Sequence, residues 1–205
     1  RTVPFADNGN YCGTFIRTND CEKRPDMMIT LMAWVTSSGL KPRAFSGFSI
    51  FAEHLRPRAR GYIRLTGASP DDAPEIRFNF LDSEADRQSI LAGLNYARRL
   101  SQTRPLADCI DHELSPGLHV ETQEQWLSYC RENGGSMHHA VGTCRMGADS
   151  QSVVDQRLRV RGLQNLRVID ASIMPEIVSG NTNAATIMIA EKGARMVVED
   201  ARTHG

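Results

Sequence analysis

The stretch GSMHHAVGTCRMG, residues 135–147, sets two histidines side by side and runs them into a turn of small residues. An imidazole pair of this kind can bind a metal, move a proton or simply pack. Metal binding is the poorest fit. Adjacent side chains point in different directions in most backbone conformations, and no Asp, Glu or Cys stands at a recognised ligand spacing. No metal site is therefore expected from His138, His139 and Cys144. A catalytic imidazole needs a second converging group and an electrophile, and this stretch supplies neither. The third reading is a pair of hydrogen-bonded core or surface histidines, and the pair alone does not decide between it and catalysis.

The elements that would have to position such a group can be read from periodicity. Apolar and aromatic runs at residues 27–34, 45–54, 60–65 and 75–80 predict strands. In EIRFNF, Ile76, Phe78 and Phe80 alternate with Arg77 and Asn79, the period of a half-buried strand. Strands this close in sequence pair antiparallel. The period then changes, and Ile90, Leu91, Leu94 and Ala97 share one face of a helix over 83–102, with Ser83 and Asp86 as its capping box. The expected core includes Ile76, Phe78, Ile90 and Leu94. A second helix over 122–132 opens on Thr122 and Gln125 and stops at Asn133-Gly134-Gly135.

The last quarter reads differently. NLRVID (165–170) is a β-branched run, SIMPEIVSGNTNAA is a loop, and a helix beginning near Asn183 carries Ile187, Ala190, Ala194 and Val197 on one face. Strand, loop and helix in that order suit a parallel α/β layer. The predicted class is thus α+β: a mainly antiparallel sheet with helices on one face, plus a C-terminal strand-loop-helix.

Composition narrows the function. Lys plus Arg and Asp plus Glu are both 24, so there is no basic footprint for nucleic acid. Clusters such as LRPRARGYIR read as solvated strand ends. The longest apolar run, MMITLMAWV, is too short to span a bilayer. Five cysteines without a C-x-x-C pair suggest neither a disulfide framework nor zinc, and a reducing, cytoplasmic setting is the expectation, with peripheral membrane contact left open. The chain opens RTVPFADNGN, with no apolar signal segment and no initiator Met, as in a processed chain or part of a longer one.

HHAVGTCRMG, followed by VVDQRLRVRGLQNLRVIDASIMPEIVSGNTNAATIMIAEKGA, resembles the C-terminal signature of the glucose–methanol–choline (GMC) oxidoreductases, flavoenzymes that bind FAD and oxidise alcohols. The likeness runs in order from about 139 to 194, and GYIRLTGASPDDAPEIRFNFLDSEADR is similar to the family's substrate-domain strands. The family's His-Pro-x-Gly-Thr falls on His139, Ala140, Val141, Gly142 and Thr143. The resemblance therefore implies His139 as the catalytic histidine, with Ala140 departing from the usual proline and removing one local constraint. It places the second catalytic position, His or Asn in the family, on Asn181, a choice more like choline- and long-chain-alcohol-oxidising members. It further implies cofactor contacts from Asp170, Ala171, Thr182 and Asn183.

Those residue types suit the implied chemistry. A neutral imidazole can take a hydroxyl proton near neutral pH. Asn181 does not titrate and can hold the substrate oxygen by hydrogen bonds. The helix beginning near Asn183 would aim free N–H groups at an anionic reduced flavin. The chain contains no G-x-G-x-x-G, the family's dinucleotide-binding motif. The resemblance thus implies a substrate-binding part at 1–150, and at 151–205 the segment that completes an FAD domain whose N-terminal portion is a separate partner. FAD is not expected to stay on this chain alone. The alternative is a stand-alone domain that binds a small molecule or partner without catalysis. Either disorder through 170–183 or association with a second copy is expected where partners are lacking.

Overall fold

In unit one of the computed structural model, which describes residues 10–33, 35 and 46–203, a three-stranded antiparallel sheet carries a long helix. Contacts group the described residues up to Ala59 with Asn79–Gly135 as this first unit, and Arg60–Phe78 with the residues from Ser136 onward as a second. The sheet order is β1 (Asn10–Ile16), β2 (Met27–Met32), β3 (Ser49–His54), with Ile29 opposite Thr14 on one side and Ala52 on the other. Met27, Ile29 and Met32 of the central strand are buried.

Helix α1 (Glu84–Ser101) lies on β2 and β3. Gly93 permits this approach: a Cβ there would sit 2.8 Å from the sulfur of the fully buried Met27. Helix α2 (Gln123–Asn133) starts with the reciprocal Thr122–Gln125 capping box that the sequence predicts. Its Trp126 packs with Leu91 and Val120, under the Arg98 guanidinium 4.3 Å from the ring centroid. Arg98 also pairs with Glu113 at 2.6 Å.

In the second unit β4 (Tyr62–Arg64) and β5 (Glu75–Arg77) form an antiparallel ribbon. Its core is Val154, Leu158, Ile173, Met174 and Ile189, the last on helix α3 (Asn183–Thr203). Arg157 and Arg167 both bond Asp200 and tie the end of α3 to the preceding chain. Among the described residues no helix is long and apolar enough to cross a membrane.

The α+β class, the antiparallel pairing and the helices near 83–102, 122–132 and 183 stand as predicted. Several details differ. The four expected strands belong to two sheets, and β1 joins the first one unannounced, because its residues from Cys12 to Thr14 are all exposed and leave no alternating pattern. Trp34 and Phe45, at the ends of two expected strands, lie outside the described residues. Ile76 of β5 is 51% exposed, since a two-stranded ribbon has no third layer of its own to cover it, and Phe78, just past the strand's end, is 41% exposed. On α1 the buried face is Leu91, Gly93 and Ala97, while Ile90 and Leu94 are half-buried.

Ser83 makes no side-chain cap. Asp86 is buried, and its two oxygens accept the Arg58 and Ala59 N–H groups at 2.8 Å each, so a long-range need overrides the local one. Residues 165–170 form no strand. They turn back on 158–160 through a single antiparallel bridge, Arg159 to Arg167, because a parallel strand needs a neighbouring strand and, among the described residues, the backbone bonds of this stretch go to 158–160. The α3 face chosen from the sequence is exposed: Ile187 by 56% and Val197 by 43%, while Ile189 and Gly193 point inward.

Candidate active site

The two histidines part company at His138. Its φ of +62° is the left-handed conformation, it is exposed, and its N–H donates to Ser136 Oγ at 3.0 Å. His139, half-buried, turns the other way. Past it, Gly142 takes a φ of +94°, where a side chain would be strained, and its Cβ position is 3.4 Å from the Met174 carbonyl oxygen. The Cys144 N–H donates to the Ser172 carbonyl at 3.0 Å and the Met146 N–H to that of Ile173 at 2.7 Å. These bonds stitch the histidine turn to the short 3₁₀ turn Ala171–Ile173, and the side chains of Ile173 and of Met174 just after the turn enter the core beside Ile189 of α3. The shared core therefore fixes the histidine turn against the loop that precedes α3.

The result is a contact across more than forty residues of sequence. His139 Nε2 lies 2.9 Å from Asn181 Nδ2, and Nδ1 lies 2.9 Å from Thr182 Oγ1. The Thr182 N–H also approaches Nδ1, at 3.4 Å. Thr182 is 7% exposed, whereas Asn181 is exposed. One ring nitrogen thus faces the interior and the other faces the open side.

The remaining candidates lie nearby in the chain without bonding His139. Asp170 caps the 3₁₀ turn, its Oδ1 accepting the Ser172 N–H at 2.7 Å and the Ser172 hydroxyl at 2.5 Å. Ala171 is half-buried at the start of that turn. Asn183 is exposed and opens α3, whose first turn carries no acidic residue. The N–H groups of Asn183, Ala184 and Ala185 make no hydrogen bond among the described residues. Free donors at a helix start, with no carboxylate beside them, favour negative charge nearby. The contact that sequence reasoning missed is that of the Thr182 hydroxyl on His139. A threonine before a helix is read as a cap, and nothing local signals otherwise.

Comparison with known proteins names the class to which this fold belongs. The family model for GMC oxidoreductase matches residues 57–190. The chain belongs to that family. It is 38% identical over 195 residues to an alcohol dehydrogenase [acceptor] of Pseudomonas putida, covering 95% of this chain and 35% of the relative. It is 37% identical over 190 residues to an oxygen-dependent choline dehydrogenase of Proteus mirabilis, covering 92% and 34%. Among solved structures, pyridoxine 4-oxidase from Mesorbium loti superposes with a TM-score of 0.83 at 29% identity over 91% of this chain and 37% of that one. Formate oxidase from Aspergillus oryzae shares the fold, with a TM-score of 0.82 at 21% identity over 88% of this chain and 33% of that one. The chain spans about a third of the length of the curated relatives it matches.

Proposed function

We propose that this chain is the catalytic C-terminal portion of an FAD-dependent oxidoreductase that oxidises an alcohol to an aldehyde or ketone. The observation that carries the reading is the His139 ring held at both nitrogens, with Nε2 on the open side beside Asn181. In this reading His139 takes the proton of the substrate hydroxyl at Nε2. Asn181 cannot compete for that proton; its amide holds the ring now and the substrate oxygen when one is present. FAD, when bound, supplies the hydride acceptor. Asp170, Ala171, Thr182 and Asn183 are proposed to border it, with the free N–H groups at the start of α3 favouring the negative charge of its reduced ring.

The segment 151–205 would complete the FAD-binding domain and 1–150 would serve the substrate. The phosphate-binding portion is then a separate stretch of the longer protein. Five free cysteines agree with a reducing, cytoplasmic setting. The test is anaerobic single-turnover flavin reduction by an alcohol in the flavin-loaded longer protein. His139→Ala should slow it by roughly 10²–10⁴, the usual worth of a general base. Undiminished reduction would leave the non-catalytic binding domain as the better reading.

A further inference from the structure

We infer that Thr182 is a positioning residue that fixes the tautomer of His139, a role beyond the cofactor contact expected of it and one that rests on the proton-acceptor reading of His139. Thr182 stands where the first bond of α3 begins: its carbonyl accepts the Thr186 N–H at 2.9 Å and the Thr186 hydroxyl at 2.8 Å. A threonine at such a position ordinarily turns its hydroxyl onto an N–H of the first helical turn. Here the hydroxyl forgoes the cap. It is buried and lies 2.9 Å from His139 Nδ1 instead.

Two amide donors approach the ring: Asn181 Nδ2 at 2.9 Å from Nε2, and the Thr182 N–H at 3.4 Å from Nδ1. A neutral imidazole offers one lone pair and one N–H. With Asn181 Nδ2 turned toward the ring, the 2.9 Å contact requires the lone pair on Nε2, and the longer Thr182 N–H bond to Nδ1, at 3.4 Å, is the weaker one and gives way. The lone pair is therefore on Nε2 and the hydrogen on Nδ1, donated to Thr182 Oγ1. Free histidine in water favours the opposite tautomer, with its hydrogen on Nε2. That form could not accept a substrate proton on the open side. The buried hydroxyl reverses the preference, and when Nε2 takes up a proton the same bond holds the imidazolium in place.

The tautomer can be read without turnover. In the flavin-loaded longer protein labelled with ¹⁵N-histidine, the ring signals of His139 are identified by their loss in His139→Gln. The unsubstituted chain should show the Nδ1–H pattern when the ring is neutral. Thr182→Val, which keeps the shape and removes the hydroxyl, should shift it to Nε2–H, and Thr182→Ser should restore Nδ1–H. In the flavin-loaded longer protein, Thr182→Val should lower the limiting rate of flavin reduction about tenfold, roughly the effect of one hydrogen bond, with KM little changed. An Nε2–H pattern in the unsubstituted chain, or an unchanged pattern in Thr182→Val, overturns the inference. Failure of the catalytic reading looks different: His139→Ala would then reduce flavin normally, whatever the tautomer.

Discussion

His139 is bonded at both ring nitrogens, while His138, one residue earlier, has an exposed side chain on a left-handed backbone. The difference comes from backbone direction, which no property of the dipeptide encodes. It sets the expected outcome of the paired substitution. In the flavin-reduction assay that tests His139→Ala, His138→Ala should stay within a few-fold of the parent, since surface changes away from such contacts cost about 0.5 kcal/mol or less. Equal losses at the two positions would mean that the wrong imidazole has been assigned the proton.

At the scale of elements, α3 is set by Gly193. A Cβ at that position would lie 2.4 Å from Ile169 Cγ2 and 3.1 Å from its Cδ1. Two effects oppose each other in Gly193→Ala. Alanine favours the helix by about 1 kcal/mol over glycine. Overpacking costs about 1–3 kcal/mol, and a β-branched isoleucine has little rotamer freedom with which to retreat. Overpacking should win, leaving a net destabilisation of about 1 kcal/mol in urea unfolding. A raised midpoint would show that Ile169 can swing aside. Because α3 begins at the Thr182 carbonyl, a tilt of the helix should also disturb the His139 bonds, so the ¹⁵N ring signals of His139 should move in the same variant.

At the scale of the whole molecule, two properties follow from what is buried and what is not. His54 of β3 is held below its ordinary pKa of 6.5, first by burial, with Asp86 at 3.9 Å from Nδ1 opposing the shift. A lowered histidine pKa means that the unfolded chain binds more protons than the folded one just below pH 6.5. The stability contribution is therefore present above that value and is lost as pH falls through it. The Tm should drop between about pH 7 and about pH 5.5, and His54→Gln should flatten that part of the curve. The second property is cofactor retention. The chain carries free N–H donors at the start of α3 but no glycine-rich phosphate loop. Titration with FAD should give no saturable fluorescence change at micromolar concentration. Stoichiometric binding would mean that the ring contacts alone suffice.

The sequence by itself determined the elements whose causes are local. The Thr122–Gln125 box opens α2 as read, α1 falls where its period places it, and β2 and β3 lie within their apolar and aromatic runs. It also carried the family and the candidates His139 and Asn181, because the resemblance runs in order and at the family's spacing through both. Tertiary structure decided what depends on partners. Asp86 abandoned its cap for two backbone donors in another segment. Residues 165–170, apolar enough for a strand, pair with the 158–160 stretch through a single bridge among the described residues. Ile76 and Phe78 alternate as a buried face should, yet the strand stops at Arg77 and both are exposed. The hydroxyl of Thr182 met an imidazole forty-three residues earlier in the chain rather than its own helix. A side chain's type fixes which bonds it can make, and only the folded chain fixes which partner is within 3 Å.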